Sequence, residues 1–214
     1  MTPEQVDRFF LVLRQANPRP QTELAYTSVF ELLAAVLLSA QATDISVNKA
    51  TRSLFARAST PQAMLDLGEA EVARHIQTIG LYRNKAKHLL QTCALLLQHH
   101  GGAVPGSRDA LQALPGVGRK TANVVLNVAF GEATMAVDTH VFRVSNRTGL
   151  ASGATPEAVE RGLLERVPLD CQVDAHHWLI LHGRYVCQAR QPRCDACAVR
   201  DCCDWGASTI PPLR

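Results

Sequence analysis

The stretch Leu114-Pro115-Gly116-Val117-Gly118-Arg119-Lys120-Thr121-Ala122 decides how this chain reads. It joins a short helical pattern to a longer one through two glycines separated by one residue. Glycine lets a backbone turn with positive φ and come close to a ligand. The N–H groups that open the next helix then point outward, where the helix dipole favours an anion such as a phosphate. Gly116 and Gly118 are therefore a candidate phosphate cradle. An ordinary helix–helix turn carries the same two glycines.

The residues beyond the turn add chemistry. At helical spacing Val117, Thr121, Val124, Val125 and Val128 make one apolar stripe, with Lys120, Asn123 and Asn127 along its flank. Lys120 falls in the first helical turn beside that stripe, a poor place for a cation. A lysine so placed has reason to lose its proton, as an amine nucleophile must. From a reference pKa near 10.4, freeing the amine at pH 7 costs about 4–5 kcal/mol, part of which the surroundings have to supply. A solvated lysine touching a phosphate fits the same position. Asp138, in Val137-Asp138-Thr139-His140, is placed to cap a helix over 139–148, a role worth about 0.5–2 kcal/mol. It could also take a proton or stabilise a cation, although a carboxylate near Lys120 would favour the charged amine.

Elsewhere helix signals recur and strand signals barely occur, so the expected class is all-α. Thr2-Pro3, Thr60-Pro61 and Thr155-Pro156 each set a capping oxygen before a proline at a first helical position. Ser28 to Glu31 reads as a capping box, and Asp44, Ser107, Asp138 and Asp174 as further N-caps. Pro18, Gly101-Gly102, Pro168 and Gly183 read as stops. Helices are predicted over 3–16, 29–40, 44–57, 61–66, 69–77, 83–99, 108–113, 119–130, 139–148, 156–167 and near 175–182. The 214 residues are 47% hydrophobic, which excludes a disordered tail and allows one or two compact domains. The longest apolar run, Leu32 to Leu38, is too short to span a bilayer. A net charge of +3 argues only weakly for nucleic acid. The first residues resemble neither a secretory signal nor a transit peptide, so reduced thiols are expected. Asn146-Arg147-Thr148 is then a chance glycosylation match.

Cysteine usage is lopsided: five of the seven lie between Cys187 and Cys203. Cys187, Cys194, Cys197 and Cys203 follow C-x6-C-x2-C-x5-C, a set of thiolates that suits a cubane iron–sulfur cluster or tetrahedral zinc. Cys202 is an adjacent alternative to Cys203, and Cys93 and Cys171 read as small apolar residues. Arg184, Arg190, Arg193 and Arg200 make the loop basic. Arg83, Lys85, Lys87 and His88, directly after Gly80-Leu81-Tyr82, form the densest basic stretch, and Arg143 and Arg147 share a helix face. Such residues are candidate DNA-backbone contacts, which position a duplex without reading its sequence. The acidic 157–170 segment should face away. His176, His177 and His182 read as packing or surface histidines.

Together with Leu37 to Asp44, Ile79 to Tyr82 and Val137 to Arg143, the hairpin resembles the endonuclease III family of helix-hairpin-helix, iron–sulfur DNA glycosylases. The resemblance covers essentially the whole chain. It implies a [4Fe–4S] cluster on Cys187, Cys194, Cys197 and Cys203, redox-inert and shaping a basic DNA-binding loop. It also implies two helical domains, 22–132 and 1–21 plus 133–214, flanking a DNA-binding cleft. The implied activity is a bifunctional glycosylase and AP lyase that removes oxidised pyrimidines. Lys120 would attack the sugar, Asp138 would assist, and the lysine imine would permit β-elimination 3′ to the site. Gln41 and Leu81 would fill the gap left by the flipped nucleotide, and His140 and Asp44 would lie near the base. Gly116, Gly118, Arg143 and Arg147 would hold the backbone. The partner is double-stranded DNA with a damaged base or abasic site, met by a monomer in the bacterial cytoplasm at the nucleoid, with no membrane. Two rivals stay open: a single-function adenine glycosylase, which carries a glutamate near the position of Ala35, and a non-enzymatic DNA-binding module with structural zinc.

Overall fold

A computed structural model describes residues 1–208 of the chain, and among these there are helices and no strand. α1 (Pro3–Ala16) belongs, with the chain from Glu132 on, to one compact unit; Glu23–Gly131 forms the other. The Glu23–Gly131 unit holds α2 (Val29–Leu38), α3 (Asp44–Phe55), α4 (Pro61–Leu67), α5 (Glu69–His75), α6 (Tyr82–His100), α7 (Arg108–Gln112) and α8 (Arg119–Phe130). The first unit is completed by α9 (Thr139–Thr148), α10 (Pro156–Arg166), α11 (Gln172–Tyr185) and α12 (Asp204–Ser208). Each unit has its own hydrophobic core.

In the Glu23–Gly131 unit, α2 is the axis. Every residue from Phe30 to Leu38 is buried, as expected of a helix that is apolar on all sides. α3, α6 and α8 pack on it. Its entrance differs from the expected capping box. Ser28 Oγ accepts the Glu31 N–H at 3.1 Å, but the buried Glu31 carboxylate turns to Thr27, accepting its N–H at 2.6 Å and its hydroxyl at 2.8 Å. Thr27 offers two donors where the Ser28 backbone offers one. α8 is also rotated from expectation: Ala122, Asn123, Val125, Leu126 and Asn127 are buried, while Thr121, Val124 and Val128 are only half-buried. Polar partners make this rotation tolerable, since Arg108 Nε donates to Asn123 Oδ1 at 3.1 Å. Thr43, not Asp44, caps α3.

In the other unit Phe9, Phe10 and Trp178 fill the core between α1 and α11, and Trp178 Nε1 donates to Asn17 O at 2.8 Å. Asp174 does not cap α11, which starts two residues earlier after a short 3-10 turn over Leu169–Cys171. Gly183 does not stop it either. α11 runs to Tyr185, and the missing side chain at 183 lets α9 approach: a Cβ there would lie 2.8 Å from His140 Cβ and 3.3 Å from its Cα. His176, His177 and His182 are buried beside Trp178.

Gly183→Ala sets two effects against each other. Alanine improves helix propensity by about 1 kcal/mol, while overpacking costs about 1–3 kcal/mol. Because the opposing atoms are backbone and Cβ rather than a flexible tip, the clash should win. Thermal unfolding should show a lower midpoint for G183A; an unchanged or higher one would contradict the close α9–α11 contact.

Candidate nucleic-acid interface

The hairpin turn is built from two glycines with different tasks. Gly116 has φ +77°, the left-handed region, and His88 lies against it, 3.1 Å from where a Cβ would sit. Thr92 Oγ1 on α6 donates to Pro115 O at 3.0 Å and anchors the same turn. Gly118 is the N-cap of α8 in extended conformation, with open space around it and no side-chain cap on the helix. Seven other helices are capped by a Thr, Ser or Asp oxygen among the described residues. The entrance of α8 thus has no side-chain cap among the described residues, an arrangement that suits an anion, and Arg119 and Lys120 are its first residues. Lys120 is exposed. The apolar flank expected to cover its amine does not do so.

Gln41 and Leu81 are the non-glycine residues with positive φ among the described residues, at +55° and +60°. Both are exposed, Leu81 to 62%. Left-handed backbone costs an ordinary residue about 1–2 kcal/mol, so something must hold each turn. The Ala42 N–H bonds Ser39 O at 3.0 Å, and Gln41 is positive in φ while Ala40 is not, which makes Ser39–Ala42 a type II turn. Lys85 holds its central peptide. Although expected to face DNA, this lysine is 5% exposed, and its Nζ donates to Ala40 O at 2.6 Å and Leu38 O at 2.9 Å. A type II turn differs from type I by the flip of that central carbonyl. A hydrogen bond from a charged donor, worth about 1.5–3 kcal/mol, is enough to offset the strain at Gln41. Burial pushes the Lys85 pKa below its ordinary value. The sequence carried the signal: Lys85, Ala86, Leu89, Thr92, Cys93 and Leu96 share the buried face of α6. Arg83 and Lys87 remain exposed, Arg83 stacking over Tyr82 at 4.8 Å.

In the other unit Asp138 caps α9, its Oδ1 accepting the His140 and Val141 N–H groups at 2.8 Å each. One oxygen does the capping, which leaves Oδ2 for other chemistry. Arg143 and Arg147 extend from α9 as expected, but their donors meet protein. Arg143 bonds Cys187 O at 3.1 Å and Gly183 O at 2.8 Å, and its Nη2 lies 3.2 Å from His140 Nδ1. Arg147 bonds Gln188 O at 2.8 Å and Ala189 O at 3.0 Å and stacks over Trp205. The pair buttresses the cysteine loop, a task the sequence did not reveal because the acceptors are backbone carbonyls some forty residues on.

Cys187, Cys194, Cys197 and Cys203 line one cavity, which Cys202 does not reach. Burial holds the Cys197 and Cys203 thiols above their usual pKa, and the negative forms of the other cavity cysteines raise them further. Thiolates gathered in one cavity repel one another, and a cationic centre between them, tetrahedral zinc or a cubane iron–sulfur cluster, would offset that repulsion. The Gly206 N–H donates to Cys203 Sγ at 3.3 Å, which favours its thiolate, and Arg147 Nη1 lies 3.5 Å from Cys187 Sγ. Cys93 and Cys171 lie elsewhere; burial pushes the Cys93 thiol up to about 12, so it stays protonated. Ala35, where the rival adenine glycosylases carry a glutamate, is fully buried in α2.

A family model described as HhH-GPD superfamily base excision DNA repair protein matches residues 34–169. The chain is 61% identical over 193 residues to the endonuclease III of Escherichia coli strain K12, covering 90% of this chain and 92% of that one. To the endonuclease III of Rickettsia conorii it is 54% identical over 205 residues, 96% and 98% of the two chains. A solved structure of a trapped endonuclease III–DNA covalent intermediate, an estranged-adenine complex, superposes with a TM-score of 0.91 at 42% identity, covering 99% of this chain and all of the other.

If Cys203 rather than Cys202 is the fourth ligand, Cys203→Ala should lose most of the iron and acid-labile sulfide of protein purified without oxygen. Cys202→Ala should keep both. The reverse pattern would move the ligand by one residue.

Proposed function

Because the chain belongs to the HhH-GPD superfamily of base excision DNA repair proteins, and within it to the endonuclease III family, we propose that it is a bifunctional glycosylase and AP lyase for oxidised pyrimidines. The observation that carries this reading is the entrance of α8: uncapped N–H groups after a left-handed Gly116, with an exposed lysine as the second helical residue. The amides and dipole seat a DNA phosphate, which brings the sugar within reach of Lys120. A related enzyme of 42% identity and the same fold is described as forming a covalent intermediate with DNA, which supports an enzymic nucleophile.

In this reading the Lys120 amine attacks C1′ of the flipped nucleotide, forming the C–N bond as the base leaves with the glycosidic electron pair. Asp138 Oδ2 accepts a proton or stabilises positive charge on the sugar, while Oδ1 keeps the residue fixed through its cap. The sugar ring opens to an imine with Lys120. Loss of a C2′ proton then expels the 3′ phosphate, cutting the strand on that side of the site. Gln41 and Leu81 occupy the space the nucleotide vacates, and His140 and Asp44 lie near the base. Gly116 and Gly118 bring the backbone to phosphate, and Arg143 and Arg147 act on DNA through the loop they brace. Cys187, Cys194, Cys197 and Cys203 would hold a [4Fe–4S] cluster, which would cross-link the loop and supply no step of the chemistry. The protein works as a monomer on duplex DNA in the bacterial cytoplasm, at the nucleoid.

Lys120→Ala should abolish cleavage of a duplex carrying an oxidised pyrimidine while leaving affinity for it within about threefold, since one exposed charge among several contacts is lost. Retained cleavage by the purified variant would remove Lys120 from the role of nucleophile. Asp138→Asn keeps a capping oxygen, so it should slow base release more than it weakens binding; a pure loss of affinity would return Asp138 to capping alone.

A further inference from the structure

Two exposed residues with left-handed backbone, Gln41 and Leu81, lie at the two ends of one buried side chain. Lys85 is in the first turn of α6, where its N–H bonds Leu81 O at 3.1 Å. From there its ammonium reaches across to Leu38 O and Ala40 O, on either side of the Ser39 carbonyl that the Ala42 N–H occupies. Leu38 ends the buried helix α2, so its carbonyl has lost its intrahelical partner and faces protein, not water. A cation at a helix C-terminus is also favoured by the dipole. The carbonyl of Ala40 is the one whose direction distinguishes a type II from a type I turn, and that direction sets the sign of φ at Gln41. One side chain thus fixes the backbone beneath Gln41 and ties it to the helix whose N-cap is Leu81.

We propose that Lys85 is a positioning residue for nucleotide extrusion: its bridge from α6, the helix that follows Leu81, to the end of α2 holds the Gln41 turn in the conformation that enters the duplex. The inference rests on the reading of Gln41 and Leu81 as the residues that fill the vacated space. With the bridge cut, the central peptide of the Ser39–Ala42 turn is free to flip, Gln41 relaxes to negative φ, and its side chain is redirected. Extrusion then suffers, whereas chemistry at a sugar that needs no extrusion does not.

The test uses the full-length, cluster-containing protein with Lys85→Met, which keeps the apolar stem and removes the donors. Local unstacking is read by 2-aminopurine fluorescence beside the lesion, and base release by single-turnover rates on a duplex lesion. A single-stranded abasic substrate reads lyase chemistry alone. K85M should reduce the unstacking signal and slow duplex base release about tenfold or more, the loss expected for a charged hydrogen bond. Cleavage of the single-stranded abasic site should stay within about twofold, and Lys85→Arg, which restores donors, should recover most of the duplex rate. Equal losses on both substrates, or a normal unstacking signal, would overturn the proposal and leave Lys85 a structural residue. Should K85M fail to fold, Lys85→Gln, which is shorter and uncharged and so cannot span to both carbonyls with a charged donor, takes its place with the same expected split between substrates. Gln41→Ala and Leu81→Ala separate the two layers. If neither changes unstacking, the gap-filling reading fails; if both do and the Lys85 variants do not, the positioning role alone fails.

Discussion

A helix buried on every side must satisfy its end groups inside the protein, and α2 meets that constraint in a way that organises its whole unit. The Leu38 carbonyl at its C-terminal end is in a buried contact, and leaving such a group unsatisfied would cost about 1–3 kcal/mol. The N-terminal end is closed by Ser28 and by the buried carboxylate of Glu31 turning back to Thr27. The C-terminal end is closed by the Lys85 ammonium. α6, which supplies that lysine, also supplies Thr92 to the hairpin turn and sets His88 against Gly116. α8, which carries Lys120, packs on α2. The features assigned to DNA in this unit therefore hang on two helices whose ends are locked to each other.

Local signals carried much of the architecture. Thr2, Thr60, Ser107, Asp138 and Thr155 cap helices in the structure as their sequence context predicts, because an N-cap involves only neighbours three residues away. Residues whose partners are distant were misread. Gly183 resembles a stop until α9 is placed against it, and Asp44 and Asp174 resemble caps until the N-cap positions are seen to be Thr43 and Cys171, one and three residues earlier. The face of α8 was misjudged because Asn123 and Asn127 count as polar and yet are buried.

The basic residues show the same division. Read along the chain, Lys85, Arg143 and Arg147 look like a cationic surface for phosphates. In the structure each donates to backbone carbonyls, Lys85 beneath the Gln41 turn and the arginines along the cysteine loop. A carbonyl acceptor leaves no trace in composition or charge, so a net charge of +3 says little about DNA. Exposed cations at Arg83, Lys87 and Lys120, with the uncapped amides of α8, are what the structure offers a phosphate. The cysteine crowding was more legible than the charges: Cys187, Cys194, Cys197 and Cys203 line one cavity, and Cys202, which the sequence offered as an alternative to Cys203, is not among its lining residues.

The central claim is that an amine on α8 becomes covalently joined to DNA. Borohydride reduction of the protein mixed with a duplex containing an oxidised pyrimidine, followed by proteolysis and mass spectrometry of the nucleotide-bearing peptide, tests it most directly. The account predicts a single adduct, on Lys120. An adduct on another amine, or none under conditions where the base is released, would contradict it.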